Sequence, residues 1–416
     1  MLERYFSAPK SLRRLRTGPS GPYIDGFADT LESAGYSKAS AIRYLRNAAH
    51  LGQFTKCRGG GLAAIDTGTL KAFRRHLSSC RCPSSNGGKA DHHPRFGVKL
   101  FYNYLVQRGV CQRHSISGVV TKTTPELVVC FRDWFQKHRG AAKSTLRLYC
   151  RGAVELLEAL GPDTHQWDTH RVRKFVLDRS SRCGMETAQK LITATRAFLR
   201  YLSFRGECPV NLDQAVPALA RWRLGTLPRC LTAEEVDRII ATCGGSSIGR
   251  LRDRAIILML ARLGLRASDL AQLRLGEIEW ENGALRVIGK GRHEVRLPLP
   301  QDVGDSLLHY LECRPQVDPT DRVFLRNIAP FRPFVTGHCI SGVVKRALKR
   351  AGVKSPAKGA HLLRHTAATE MLRHGVPLNQ IGLVLRHRSI DTTAYYAKVD
   401  VALLKQVAQP WPEVNS

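Results

Sequence analysis

His361 and His365 stand four residues apart in the stretch GAHLLRHTAATEML, residues 359–372, with Arg364 between them. On a helix that spacing puts both imidazoles on one face, as in a helical zinc pair. Arg364 brings a fixed positive charge to the same place, which suits an anion. A zinc pair would also need a third ligand and usually an acidic base inside the motif, where this sequence has Leu362 and Leu363. The stretch therefore poses three readings: a metal site, a phosphate site, or two ordinary histidines.

Three further stretches carry groups suited to one reaction. GLRASDL supplies Arg266 and Asp269, VIGKGR supplies Lys290, and LRHRSIDTTAYY supplies His387 with Tyr395 and Tyr396. A phosphodiester under attack becomes pentacovalent and more negative. Arg266 and Arg364 can each fork onto its non-bridging oxygens, and arginine does not lose its proton. Such preorganised donors supply about 3–4 kcal/mol each by analogy with an oxyanion hole. The leaving 5′-oxygen needs a proton. Lys290, in a turn flanked by two glycines, can reach into a minor groove to give it. A tyrosine phenol can form a covalent phosphoryl bond and later be expelled. The cationic surroundings are expected to lower its pKa from the usual ~10. Taken singly, Arg266 reads as a surface charge, Lys290 as an ordinary hairpin turn, the histidines as core or surface groups, and the tyrosine as a packed aromatic. Their joint occurrence in order favours the phosphate reading.

The order and spacing of these boxes resemble the tyrosine recombinase (phage integrase) family across about residues 228–409. The helical region before them is similar, less specifically, to the family's core-binding domain. The pattern H-x-S-I-x-T-T-x-x-Y runs from His387 to Tyr396. The resemblance thus selects Tyr396 as nucleophile and leaves Tyr395 packed. It implies that His361 assists proton transfer and that His387 hydrogen-bonds the scissile phosphate. Asp269 is expected to buttress the pocket, and His365 to pack or give support below it. The family's usual glycine before the second-box histidine is Arg386 here, and Arg388 follows; both charges are expected near DNA. The implied activity is strand exchange through a 3′-phosphotyrosyl bond, with no ATP, metal or other cofactor. The implied partners are double-stranded DNA, three further copies in a homo-tetrameric synapse, and an accessory recombinase or host factor. The amphipathic segment 400–411 would dock on a neighbouring protomer or on its own domain. Two alternatives are a type IB topoisomerase and a catalytically silent DNA-binding regulator.

The whole chain must position these groups. It has 416 residues, 43% of them hydrophobic, and a formal net charge of +31. That composition describes a folded protein with a polyanionic partner. Residues 1–225 hold 37 Lys+Arg against 16 Asp+Glu, and residues 226–416 hold 28 against 18. The front half is therefore expected to be the main gripping surface. No apolar run suggests a membrane span or a secretory signal. With the DNA partner, this gives a cytoplasmic, nucleoid-associated expectation. The twelve cysteines read as reduced thiols. Cys80, Cys82, His92 and His93 could together hold zinc, but their spacing and the Gly/Ser/Pro-rich context favour a polar loop.

The expected fold is mainly α, with an α+β layout: helical DNA-binding regions, then a catalytic domain with one small antiparallel sheet. The segments 40–54 and 144–160 look alike, as do 99–111 and 196–208, so two related helical domains are expected at about 20–112 and 124–210. The divisions are 1–118, a basic helical region and candidate diverged repeat; 119–215, the core-binding domain; 226–409, the catalytic domain; and 410–416, a tail. Thr232 and Glu235 predict a capping box. Residues 251–265 predict a buried helix broken by Gly264, and the turns at Asn282-Gly283 and Gly289–Gly291 predict three strands. Helices follow at 302–313, 336–351, 361–374 and 377–385.

Overall fold

The computed structural model describes residues 1–78, 80, 94–112, 124–219, 228–288, 294–316, 320–355, 357–387 and 389–398. The chain divides into two compact units: Met1–Arg113 together with Leu224–Ser416, and His114–Arg223. The amphipathic segment of residues 400–411, and with it the tail, lies outside the described residues. Among the described residues no helix is long and apolar enough to cross a membrane.

The first unit opens with α1 (Pro9–Thr17), α2 (Gly21–Ser33), α3 (Lys38–Cys57), α4 (Thr67–Ser78) and α5 (Pro94–Gln107). The second unit holds α6 (Glu126–Arg139), α7 (Lys143–Leu160), α8 (Thr169–Ser181) and α9 (Met185–Phe204). The order α2–α5 matches α6–α9, including a short 3-10 turn between the second and third helix of each set, at Leu62–Ala64 and at Thr164–Gln166. Each set closes on the same aromatic trio. Phe27 lies 5.1 Å from Phe101 and 5.5 Å from Tyr104. Phe131 lies 5.1 Å from Phe198 and 5.3 Å from Tyr201. Arg108 then stacks over Tyr104 at 5.5 Å, and Arg205 over Tyr201 at 5.7 Å. A glycine in the left-handed region follows each arginine, Gly109 and Gly206, and then a buried cysteine, Cys111 and Cys208. The two helix ends are thus built from one pattern, F-x-x-Y-x-x-x-R-G-x-C.

The rest of the first unit is built around α11. α10 (Ala233–Ala241) starts at a reciprocal capping box between Thr232 and Glu235. α11 (Ile248–Leu263) is buried on nearly every face, from Leu251 through Leu263, so it reads as an apolar run rather than a stripe. Gly264 ends it in the left-handed region at φ +57°. A Cβ there would lie 2.6 Å from the Leu385 side chain, so both conformation and space call for glycine.

α12 (Ala267–Gln272) leads to a three-stranded sheet, ordered β1 (Ile278–Glu279), β2 (Ala284–Ile288) and β3 (Glu294–Pro298). β2 pairs antiparallel with both neighbours, setting Leu285 opposite Ile278 and Leu297. Its alternation buries Leu285 and Val287 against α11's core. Helices α13 (Gln301–Cys313), α14 (Gly337–Arg350), α15 (Ala360–Arg373), α16 (Leu378–Val384) and α17 (Ile390–Ala397) complete the unit. The mainly helical, small-sheet class read from the sequence is the observed one.

Candidate active site

α15 carries two of the expected groups. It is buried from Leu362 through Thr369 apart from His365, and Arg364 within it is 4% exposed. Burying a guanidinium is costly unless carbonyls replace its water. Arg364 donates from Nη1 to the Gly264 carbonyl and from Nη2 to the Leu385 carbonyl. Those are the C-terminal ends of α11 and α16, where orphan carbonyls and the helix dipole both favour a cation. Arg266, the N-cap residue of α12, donates from Nη2 to the Arg386 carbonyl at 2.6 Å. Both arginines therefore converge on the residues that follow α16.

Those residues form a tight reversal. The Arg386 amide bonds the Leu383 carbonyl and the His387 amide bonds the Gly382 carbonyl, both at 2.9 Å. This is a Schellman ending, whose C′ residue is left-handed. Arg386 fills that place at φ +54°, which explains why a glycine suits the position. Its side chain turns inward. Arg386 Nη2 pairs with Asp269 Oδ2 at 2.7 Å, and the two side chains are 6% and 8% exposed. Arg386, expected beside the pocket and near DNA, thus lies within the pocket itself, where Asp269 pairs with it. Nε and Nη1 of Arg386 have no hydrogen-bond partner among the described residues. Arg388 lies outside them.

The reversal also aims His387. Its Nδ1 lies 2.8 Å from Thr393 Oγ1, a contact that fixes the ring. The ring stacks on Tyr396 with centroids 6.3 Å apart and planes within 3°. Thr393 and Tyr396 sit three apart on α17 and both are buried, Tyr396 to 2% exposure. Tyr396 packs with Ala368, Ile381 and Leu385, so α17 docks into the pocket of its own chain. Tyr395 is half-buried and lies over the rim, with Lys398 Nζ 5.6 Å from its ring.

The sequence-derived expectation for the phenol is overturned. Burial pushes the Tyr396 pKa up to about 12, outweighing the pull of Arg364 downward. Charge can be counted along the sequence; the loss of water around the hydroxyl cannot. The role expected for His365 is also revised. Its Nδ1 lies 2.7 Å from the Tyr396 hydroxyl, so it contacts the phenol directly rather than only packing below it. Burial, then His361 and Arg364, lower its pKa to about 4. His387 is lowered to about 4 by burial and then by Arg364 and Arg266. His361, on the exposed rim with its ring 6.2 Å from that of His365, is lowered for the same reasons, desolvation first. Even Arg364 is lowered to about 10, by burial and by the neighbouring Arg266 and Arg386.

The arrangement thus joins a protonated phenol, neutral imidazoles and three guanidinium groups, with Asp269 as the carboxylate among them. One carboxylate against three guanidinium groups leaves an excess of positive charge, which an anionic ligand would balance. Of the expected residues, Arg266, Asp269, His361, Arg364, His387 and Tyr396 come together here. Lys290 lies outside the described residues; β2 and β3 flank its segment on either side. The signal that could have found His365 was its i,i+4 spacing from His361, which put it on a face already marked by Arg364.

Comparison with known proteins gives a consistent picture. The phage integrase family model matches residues 229–402. A protein of Sinorhizobium fredii (strain NBRC 101917 / NGR234) described as an integrase/recombinase, y4rA, is 36% identical over 98% of this chain and 99% of its own. Tyrosine recombinase XerA of Pyrococcus furiosus is 28% identical over 65% of this chain and 88% of its own. Among solved structures, XerH recombinase bound to palindromic difH substrate has a TM-score of 0.54 at 20% identity, covering 83% of this chain and 97% of that one. The Tn1549 transposon integrase bound to circular intermediate DNA has a TM-score of 0.52 at 18% identity, covering 68% and 99%. At these identities the structural likeness speaks for the fold.

Proposed function

The chain belongs to the phage integrase family of tyrosine site-specific recombinases, and from that premise we propose that it cuts and rejoins duplex DNA through a 3′-phosphotyrosyl bond on Tyr396, as the integrase of a mobile element. The observation that carries this reading is the meeting of the Tyr396 hydroxyl, two imidazoles and the Arg266–Arg364–Arg386 cluster in one pocket.

The phenol oxygen of Tyr396 attacks the scissile phosphorus, and its proton passes to His365 Nδ1. Arg266 and Arg364 hold the non-bridging oxygens as charge builds; each guanidinium has five N–H groups, and the carbonyl contacts use only some of them. The spare N–H groups of Arg386 supply a third cationic contact. His387, held by Thr393, donates from Nε2 to the phosphate. The P–O5′ bond breaks, and Lys290, carried over from the family pattern, protonates the leaving oxygen. Rejoining reverses these steps: a 5′-hydroxyl attacks, the phosphotyrosyl bond breaks, and Tyr396 regains its proton, with His361 assisting. One phosphodiester is exchanged for another through a phosphotyrosyl ester, so no ATP is consumed.

The DNA would be held by both helical sets, since the excess of Lys and Arg is concentrated in residues 1–225. Four protomers would form the synapse, in the cytoplasm at the nucleoid. The relatives are named recombinases or integrases, which favours strand exchange over relaxation alone.

A DNA duplex carrying a nick beside the crossover tests the reading. We expect a covalent protein–DNA complex that is absent in Tyr396→Phe, and joined products from two duplexes. Adducts with relaxation but no joining would select a topoisomerase. No adduct on any cognate site would leave a DNA-binding regulator.

A further inference from the structure

His50 on α3 is 8% exposed, an uncommon burial for an imidazole. Its Nε2 lies 3.2 Å from Nε2 of His76, in the last turn of α4, and 3.5 Å from Sγ of Cys80, just beyond that helix. The three ligand atoms all lie within 4.8 Å of one another. A neutral imidazole Nε2 offers either one N–H or one lone pair. Here that single site of His50 faces two partners at once. A hydrogen bond can satisfy only part of this arrangement, whereas a cation between the three atoms satisfies all of it.

The two donor spacings at His50 fit a particular ion. Zinc binds nitrogen at about 2.0–2.1 Å and thiolate sulfur at about 2.3 Å; at tetrahedral angles those lengths give edges of about 3.3 Å between nitrogens and about 3.6 Å between nitrogen and sulfur. The observed 3.2 and 3.5 Å are these edges within a tenth of an ångström or so. Two imidazoles and one thiolate are a borderline-soft donor set, suited to zinc rather than to magnesium or calcium. Phe73 and Phe54 wall the group, with ring centroids 5.1 Å from His50 and 5.0 Å from His76. In the second helical set, α7 and α8 are joined instead by an ion pair, Glu155 with Arg179 at 3.1 Å. The first set has two imidazoles in the comparable joint between α3 and α4, a pairing that a bridging cation would strengthen.

We propose that His50, His76 and Cys80 bind a zinc ion that fastens α4 to α3. The site is structural and separate from the phosphoryl-transfer residues, and it does not depend on the proposed reaction. It differs from the set that the sequence suggests: Cys80 stays, two histidines from α3 and α4 enter, and Cys82, His92 and His93 lie outside the described residues. A fourth ligand, from water or from the chain, would complete the tetrahedron. Because ligand binding to the folded state adds to its stability, removing the ion should loosen the first helical set.

The test uses the untagged full-length protein, dialysed against metal-free buffer and assayed for metal by mass spectrometry. We expect about one zinc per chain, the stoichiometry of a mononuclear site. Cobalt in its place should give a thiolate-to-metal charge-transfer band. Cys80→Ser should lose the band and most of the zinc, while Cys57→Ser and Tyr396→Phe keep both. A strong chelator should lower the thermal midpoint of the wild type, with recovery on adding zinc, and leave Cys80→Ser unmoved. Should His50→Ala fail to fold, Cys80→Ser still decides, because Cys80 follows the end of α4 and is only partly buried. Background zinc in the wild type, or full zinc in both Cys80→Ser and His76→Ala, would overturn the proposal.

Discussion

Tyr396 and His365 share a hydrogen bond of 2.7 Å between the phenol oxygen and Nδ1, and burial drives their two proton affinities in opposite directions. The phenol rises to about 12 and the imidazole falls to about 4. At neutral pH one is therefore a proton donor and the other an empty acceptor. For the proposed role of Tyr396 as nucleophile, a phenol this far above neutral pH needs a base to take its proton as it attacks.

His365→Gln should keep a polar group near the phenol but remove the basic lone pair. General-base assistance is typically worth 10²–10⁴ in rate, so we expect single-turnover cleavage of the nicked substrate to slow on the order of 100-fold or more. DNA affinity should stay within about twofold, since His365 lies behind the phenol and meets no phosphate in the proposed reaction. An unchanged cleavage rate would remove His365 from the mechanism and return the base role to His361.

Asp269 and Arg386 form a buried pair, and breaking one partner of such a pair typically costs about 3–5 kcal/mol, because the other charge is left uncompensated. Asp269→Asn should therefore lower stability by roughly that amount, read from urea unfolding. Arg386→Gly in the same background should recover most of the loss. It removes the stranded charge and places at φ +54° the residue that prefers this conformation. If the double variant proves no more stable than Asp269→Asn, the pair is not what sets the cost.

The depressed imidazoles also give stability a pH dependence. His365 and His387 have folded-state pKa values of about 4 against an ordinary 6.5. Below 6.5 the unfolded chain takes up protons that the folded one refuses. The contribution is fully present above about 6.5 and is lost as pH falls through about 4. Urea midpoints of the DNA-free protein should decline between pH 7.5 and pH 5, and His365→Gln/His387→Gln should flatten that decline. Equal slopes in the two proteins would contradict the burial assigned to these rings.

Much of the fold is readable in the sequence because its signals are local. The Thr232–Glu235 box, the left-handed Gly264 and the strand alternation at Leu285 and Val287 each depend on a few consecutive residues. The grouping of the candidate site is readable too, since Arg266, Arg364, His387 and Tyr396 match the family pattern in order and flanks and meet in one pocket. What escapes is set by distant partners. Arg386 turns inward because of Asp269, 117 positions away, and His50 meets His76 across 26. Periodicity tells that His365 shares a face with His361 but not that α17 packs there. The phenol's pKa is misjudged because charges can be counted along a chain, whereas desolvation exists only once the chain is folded.

The paired helical sets lead to a last prediction, on DNA. α4 exposes Lys71, Arg74 and Arg75, and α8 exposes Arg173 and Lys174. If both sets lie along the phosphate backbone, each cation touching a phosphate releases a counterion, and log Kd should change with log salt by about 0.9 per phosphate neutralised. Wild-type binding should then weaken on the order of a thousandfold between 50 and 200 mM salt, the loss typical of six or more phosphates neutralised. Lys71→Gln/Arg74→Gln/Arg75→Gln and Arg173→Gln/Lys174→Gln should each reduce the slope by about one unit for every phosphate-bound cation they remove, with equal effect on cognate and random duplexes. A reduced slope for the α8 variant alone would assign the DNA grip to the second set and leave the first with another partner.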